Sequence, residues 1–93
     1  MTITRINEFE AVPSKGEALF AFLSSLKAHI DFSPGCLSCE VLRKNDNELI
    51  FVVIEKWKSK DAHRQSIESY PQEIMAEVMP LFALPPKGGY YHN

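Results

Sequence analysis

The chain has 93 residues, of which 45% are hydrophobic and 24% charged, and its formal net charge is −2. This length and composition predict one soluble globular domain over residues 1–93, with no basic surface for nucleic acid. No apolar run approaches the roughly 18–20 residues of a membrane span, and the N-terminal residues lack the apolar core of a secretory signal. We therefore expect a cytoplasmic protein that binds neither nucleic acid nor membrane.

The first half of the chain predicts a strand, a helix and a second strand. Residues 2–12 alternate imperfectly between apolar and polar side chains, as a first strand would. Ser14 and Glu17 have the spacing of a capping box, in which each side chain binds a free backbone amide of the helix start. Apolar side chains then recur at helical spacing and predict a helix over 15–31, followed by a second strand at 36–44.

The predicted third strand, residues 49–57, begins with six apolar side chains in a row. Successive strand side chains point to opposite faces, so this strand is apolar on both of them. The two sets are Phe51, Val53 and Trp57 on one face, and Ile50, Val52 and Ile54 on the other. A strand apolar on both faces must be covered on both, and so short a chain supplies helices for one layer. The sequence therefore predicts a homodimer.

The remaining elements complete an α+β order. Ser59 can cap a second helix that begins near Lys60, a third helix runs from Gln72 to about Val78, and 88–91 form a short edge strand. The order β-α-β-β-α-(α)-β is that of the ferredoxin-like split β-α-β-β-α-β fold, an antiparallel sheet with its helices on one side. Two such sheets packed face to face would form a dimeric α+β barrel.

Most common catalytic and metal-binding patterns are absent from the sequence. Cys36 and Cys39 form a C-x-x-C, but an offset of three on a strand places the sulfurs on opposite faces, which favours two reduced, packing cysteines. The histidines have no metal-ligand spacing and lie in three different segments, at His29, His63 and His92. No glycine-rich phosphate loop or nucleophile elbow occurs. We expect no metal site and no conventional hydrolase, kinase or dinucleotide-binding site.

The second helix carries the best candidate for a pocket. His63, Ser66, Ile67 and Tyr70 fall at i, i+3, i+4 and i+7, on one helix face. We expect Ile67 to turn this face toward the sheet, so that the four residues line a cavity of mixed polarity. His63 is then either a packing residue bonded to a backbone carbonyl or a general acid and base, since histidine titrates near neutral pH.

Three further residues have two interpretations each. His29 lies near the C-terminal end of the first helix, where a cation favours the helix dipole, and this cap is the simpler explanation for it. Trp57 serves packing or catalysis. Asn7 on the first strand needs a hydrogen-bond partner or a ligand if it points inward, and has no functional meaning if it points to solvent.

Two segments resemble a known family. Pro34-Gly-Cys-Leu-Ser-Cys39 and Phe51-Val-Val-Ile-Glu-Lys-Trp57-Lys-Ser-Lys-Asp-Ala62 are similar to the core of the antibiotic biosynthesis monooxygenase domain. The resemblance covers nearly the whole chain and implies the same dimeric ferredoxin-like barrel. It also implies a cofactor-independent monooxygenase, in which a deprotonated quinol or polycyclic phenol passes an electron to molecular oxygen inside a water-poor pocket.

The resemblance also implies roles for individual residues. Asn7 and Trp57 match positions where the family places polar and aromatic pocket residues. Members commonly have a histidine at the position of Ser66, whereas this chain has His63, three residues earlier. On this basis we expect His63 to transfer protons, and Asn7 and Ser66 to bind the substrate or its oxyanion. The remaining predicted substrate contacts are Phe9, Trp57, Ile67 and Tyr70.

Two other functions remain open at this stage. A non-redox isomerase on the same scaffold, acting on a small phosphorylated compound, would need a cationic pocket, for which Arg64 and Arg43 are the candidates. A ligand-binding dimer without turnover would leave His63 as a packing residue. Haem degradation is disfavoured, because Ser66 and the Ala76 region lack the histidine and aromatic residue that the haem-degrading branch pairs with its asparagine.

Overall fold

The computed structural model describes residues 2–93. Its elements are β1 (Ile3–Glu10), α1 (Gly16–Asp31), β2 (Cys36–Arg43), β3 (Ile50–Trp57), α2 (Lys60–Glu68), α3 (Gln72–Val78), a 3₁₀ turn (Met79–Leu81) and β4 (Lys87–Tyr91). Within these residues the strands form one antiparallel sheet in the order β2-β3-β1-β4. This confirms the predicted ferredoxin-like α+β fold. In the same part of the chain, no helix is long and apolar enough to cross a membrane.

The two predicted helix starts have different outcomes. At α2, the Ser59 hydroxyl accepts a hydrogen bond from the backbone N–H of Ala62 at 3.1 Å, as a cap should. At α1, the predicted capping box is wrong. Ser14 takes a left-handed conformation with φ of 75°, and Lys15 becomes the N-cap without a side-chain hydrogen bond. The turn before α1 therefore displaces Ser14 from the position where a box would need it.

The predicted division of β3 into two apolar faces is confirmed. On the helix-covered face, Phe51, Val53 and Trp57 are at most 1% exposed. Leu19 and Leu23 of α1 are fully buried in the same core. This face of the sheet therefore forms the hydrophobic core, closed by the helices.

The opposite face of the sheet keeps apolar side chains in contact with solvent. Ile50, Val52 and Ile54 of β3 are only partly buried, and Leu42 of β2 is 46% exposed. Leu42 and Val52 are register partners, so these side chains form one continuous strip. We call this strip, with Ile6 of β1, the open face.

The two cysteines do not lie on opposite faces, so that prediction is wrong. Cys36 pairs with Trp57 and Cys39 pairs with Glu55, with a register shift between Cys36 and Ser38. The bulge adds one residue and turns both sulfurs toward the covered face. Both thiols are free, and burial raises the pKa of Cys39 to about 12. They pack as small apolar groups, as expected.

Candidate functional site

A cavity of about 310 Å³ lies between the covered face of the sheet and the helices. Its wall is mostly apolar and comes from β1, α1, α3 and the segment before β4: Phe9, Phe22, Leu26, Ile30, Met75 and Pro86. A cavity of this size, lined in this way, suits a small apolar or aromatic molecule.

Three polar side chains from three different elements reach this cavity together: Asn7 of β1, Glu55 of β3 and His63 of α2. Glu55 and His63 are each 3% exposed, and Asn7 is partly buried. Asn7 points to the covered face, because its register partner is Val53. Asn7 therefore points inward, the first of the two orientations that the sequence left open. A polar side chain at this depth needs a hydrogen-bond partner or a ligand.

His63 is held by contacts at both ring nitrogens. Nδ1 lies 2.6 Å from the hydroxyl oxygen of Tyr90, and Nε2 lies 3.8 Å from Oε1 of Glu55. The ring packs edge-on against Trp57, with centroids 5.6 Å apart. Burial, and the nearby charge of Arg5, lower the pKa of His63 to about 4. The imidazole is therefore neutral at pH 7 and can accept a proton only transiently.

Glu55 carries a carboxyl group in an almost fully buried position. Trp57 Nε1 donates a hydrogen bond of 2.9 Å to Glu55 Oε1. Burial raises the pKa of Glu55, although the Trp57 hydrogen bond and the charge of Arg5 act in the opposite direction. Glu55 is a second candidate for proton transfer that the sequence does not single out. The alternation of β3 could have indicated it: Glu55 lies two residues after Val53 and two before Trp57, so its side chain shares their covered face.

Ser66 and Tyr70 lie at another part of the cavity wall, beside His29. Ser66 is 5% exposed, and its hydroxyl lies 2.7 Å from that of Ser33. His29 Nε2 donates to the Ser66 carbonyl oxygen at 3.0 Å, and the His29 ring packs edge-on against Tyr70. His29 lines the cavity and joins α1 to α2, so its role extends beyond the dipole cap expected from the sequence.

The predicted helix face is only partly correct. His63, Ser66 and Tyr70 are buried, but Ile67 is 54% exposed, so the expectation that Ile67 turns the face inward is wrong. The inward stripe runs through i, i+3 and i+7, and Tyr70 lies beyond the end of α2 at Glu68. Ile67 still contacts the cavity from its exposed position.

Among the other predicted contacts, Phe9 is 8% exposed and forms part of the cavity wall. Trp57 is fully buried behind His63 and Glu55, where it supports them instead of lining the cavity.

In the described part of the chain, the two arginines named for the isomerase alternative do not form a cationic pocket around this cavity. Arg64 is paired with Asp61 at 2.7 Å on an exposed part of α2. Arg43 is paired with Glu17 at 3.1 Å, and its guanidinium lies over Phe20. Neither arginine lines the cavity. Among residues 2–93, no group of three or more metal-ligating side chains is close enough to hold an ion.

Comparison with known proteins gives a family and a fold. The family model for "Antibiotic biosynthesis monooxygenase" matches residues 2–71. No curated protein matches the sequence.

Several solved structures share the fold. A protein of Pseudomonas aeruginosa, 22% identical, superposes with a TM-score of 0.90 over 99% of this chain and 93% of its own. A protein of Shewanella oneidensis, 24% identical, superposes with a TM-score of 0.87 over 99% of this chain and 90% of its own. A mutant of SnoaB, a cofactor-independent oxygenase from Streptomyces nogalater, is 23% identical. It superposes with a TM-score of 0.72 over 99% of this chain and 92% of its own. At these identities the likeness establishes the fold.

Proposed function

The chain belongs to the antibiotic biosynthesis monooxygenase family, and from that premise we propose that it is a cofactor-independent monooxygenase. Its substrate is a phenol or quinol, its co-substrate is molecular oxygen, and its product is a quinone. The observation that carries the proposal is the group of polar side chains, the buried Glu55 and His63 and the partly buried Asn7, that reach a mostly apolar cavity together.

The reaction needs no redox group on the protein. A phenolate passes one electron to oxygen, and the resulting radical pair combines at a ring carbon that bears hydrogen, which forms the new C–O bond. This carbon is para to the phenolate oxygen in a phenol such as 1-naphthol and ortho to it in a 1,4-quinol, whose product is then a hydroxyquinone. The peroxide takes up the proton that the phenol released. Loss of the ring C–H proton and cleavage of the O–O bond then release water and leave a carbonyl. One oxygen atom enters the quinone and the other becomes water, so atoms and electrons balance.

The cavity residues supply the steps that such a reaction requires. Neutral His63, with Glu55 beside it, receives the phenol proton and returns it to the peroxide. The side-chain amide of Asn7 and the hydroxyl of Ser66 form hydrogen bonds with the substrate oxygens. Phe9 and Tyr70 pack against the aromatic ring, and Ile67 flanks it from the exposed side. The apolar wall keeps water from the charged and radical intermediates.

Oxygen uptake with 1-naphthol and with 1,4-dihydroxynaphthalene tests this function. We expect uptake above the enzyme-free autoxidation rate, and a decrease of about 10²-fold or more in His63→Ala because a proton-transfer group is lost. His92→Ala is the matched control, since His92 is an exposed histidine of the C-terminal segment. Equal rates in wild type and His63→Ala would contradict the role of His63.

Isotope labelling separates monooxygenation from simple oxidation. With ¹⁸O₂, a monooxygenase places one labelled atom in the quinone and makes labelled water. An oxidase would leave the product unlabelled and would produce hydrogen peroxide, which catalase converts back to oxygen. Labelled naphthoquinone from 1-naphthol supports the proposal, and peroxide without label in the product overturns it.

We also propose that the protein is a homodimer whose two open faces pack against each other. The support is the apolar strip of Ile6, Leu42, Val52 and Ile54, which one protomer leaves in contact with solvent. Light scattering at low micromolar concentration should give the mass of a dimer, and Val52→Lys should give that of a monomer. Leu84→Lys, which changes an exposed leucine outside the sheet, should remain dimeric. A wild-type monomer would refute the assembly.

A further inference from the structure

Tyr90 of the edge strand β4 connects His63 to the surface of the protein. Its hydroxyl oxygen lies 2.6 Å from Nδ1 of His63, and the two rings meet edge-on with centroids 5.3 Å apart. His63 is 3% exposed, whereas Tyr90 is 37% exposed. Tyr90 therefore contacts the buried histidine on one side and solvent on the other.

The position of the Tyr90 ring is fixed by its neighbours. The Arg5 guanidinium lies over the ring at 4.8 Å from its centroid, and the Lys60 ammonium lies at 5.2 Å. Both are cation–π contacts that favour this placement of the ring. Two residues earlier, Gly88 has no Cβ, and the space that a Cβ would fill is occupied by the Asn7 amide oxygen and the Arg5 guanidinium. The sequence of β4 thus lets the strand approach the site closely enough for Tyr90 to reach His63.

A buried proton acceptor needs a route by which its proton equilibrates with water. Burial lowers the pKa of His63 to about 4, so the ring does not retain a second proton at neutral pH. A proton that arrives at Nε2, the nitrogen nearest Glu55, can be passed on when Nδ1 gives up its own. Nδ1 contacts the Tyr90 hydroxyl, which can accept that proton while it releases its own to solvent.

We infer that Tyr90 is the proton relay between His63 and solvent, and that its hydroxyl also selects the tautomer of His63. In the resting state Nδ1–H donates to the hydroxyl oxygen, which leaves the lone pair of Nε2, 3.8 Å from Glu55 Oε1, free to accept a proton. The catalytic consequence rests on the proposed function, but the proton exchange and the tautomer do not. Tyr90 is a positioning residue, since it acts on the substrate only through His63.

Nuclear magnetic resonance of the full-length protein tests the relay without any turnover. With ¹⁵N-labelled histidine, wild type should show His63 as a single neutral tautomer with the proton on Nδ1. In Tyr90→Phe we expect a mixture of tautomers and exchange of the His63 ring proton with water that is slower by about tenfold or more, because the donor and acceptor group is gone. Tyr91→Phe is the matched control, since its hydroxyl belongs to the next residue, on the other face of the strand.

The same three proteins are then compared for oxygen uptake in weakly buffered solution. Tyr90→Phe should lower the maximal rate more than it changes the KM, and should raise the solvent deuterium isotope effect. Added imidazole should restore part of the rate, because it can carry the proton in place of the missing hydroxyl. Thermal melting of the variants establishes that both are folded.

The outcomes separate the relay from the proposed function. Unchanged His63 resonances and unchanged ring-proton exchange in Tyr90→Phe would overturn the relay, whatever the activity. Altered resonances and slower exchange, with no oxygen uptake by wild type on any phenol, would support the relay while the monooxygenase proposal fails. Wild-type rate and isotope effect in an active Tyr90→Phe enzyme would overturn the catalytic part of the inference.

Discussion

The covered face of strand β3 has two halves that differ in content but not in burial. In the first half, Phe51 and Val53 are at most 1% exposed and pack in the hydrophobic core, with the Arg43 guanidinium 5.0 Å from the centroid of the Phe51 ring. In the second half, Trp57 is fully buried and Glu55 is 3% exposed, yet the carboxyl of Glu55 meets an imidazole and an indole N–H. One strand therefore contributes to the core at one end and to the candidate site at the other.

The difference between the halves shows where the fold accepts an energetic cost. Burial of Phe51 and Val53 stabilises the folded state, because it removes apolar surface from water. Burial of Glu55 and His63 is unfavourable for their charged forms, which is why the pKa of the carboxyl is raised and that of the imidazole is lowered. Stability and candidate function thus occupy adjacent parts of one face.

The largest effect on stability should come from the apolar half. Phe51→Ala should lower the free energy of unfolding by about 3–5 kcal/mol, because it removes a fully buried ring and leaves a cavity. Phe32→Ala is the control: Phe32 is 90% exposed, and we expect a change within about 0.5 kcal/mol. Urea denaturation measures both. Similar losses in the two variants would mean that Phe51 does not belong to the stabilising core.

The buried polar groups of the second half should instead affect how the free energy of unfolding depends on pH. The pKa of His63 falls from 6.5 to about 4 on folding, so between these values the unfolded chain binds a proton that the folded chain does not. The free energy of unfolding therefore rises as the pH rises across this window. Acidification from pH 6.5 to 4 should lower it by up to about 3 kcal/mol, at about 1.4 kcal/mol per pKa unit. Urea denaturation at a series of pH values measures this slope.

Two substitutions isolate the His63 contribution. His63→Gln should flatten or reverse the slope, because the raised pKa of Glu55 acts with the opposite sign: its contribution to stability decreases as pH rises. His92→Gln should keep the wild-type slope, since His92 is exposed. A wild-type slope in His63→Gln would show that another group titrates in this range.

A smaller effect should arise where β4 meets the polar half. Gly88→Ala places a methyl group against the Asn7 amide oxygen and the Arg5 guanidinium, and these side-chain ends must shift. We expect a loss of about 1 kcal/mol, at the low end for overpacking. Gly89→Ala meets only ordinary contacts at 3.4 Å or more, so it should be milder. Thermal melting compares the two, and equal effects would argue against close packing at Gly88.

Sequence patterns predict the elements of this fold well because they depend on local periodicity. The bounds of α1, predicted as 15–31, differ from the observed Gly16–Asp31 by one residue, and the two faces of β3 follow from its alternation. The errors occur where a single residue changes the geometry. The bulge between Cys36 and Ser38 reverses the predicted face of one cysteine, and the left-handed turn at Ser14 removes the capping box.

The candidate site was only partly predictable for the same reason. His63, Ser66 and Tyr70 share a helical stripe that the spacing indicates, and all three are buried. Ile67 has equally good spacing, but the stripe that faces the sheet is too narrow to include it, and it is 54% exposed. Spacing identifies a helix face to within a residue or so; the packing of α2 decides which side chains are inward.

By itself the sequence determined the order of the elements, the apolar character of both faces of β3 and the resemblance to the family, since each depends on residues close together in the chain. Only the tertiary structure decided the partners of His63. Tyr90 is 27 residues away in sequence, and Glu55 belongs to another element, yet both contact the imidazole ring. The physical reason is the antiparallel sheet: β1 lies between β3 and β4, so Glu55 and Asn7 line the same cavity as His63, and Tyr90 of β4 reaches the His63 ring.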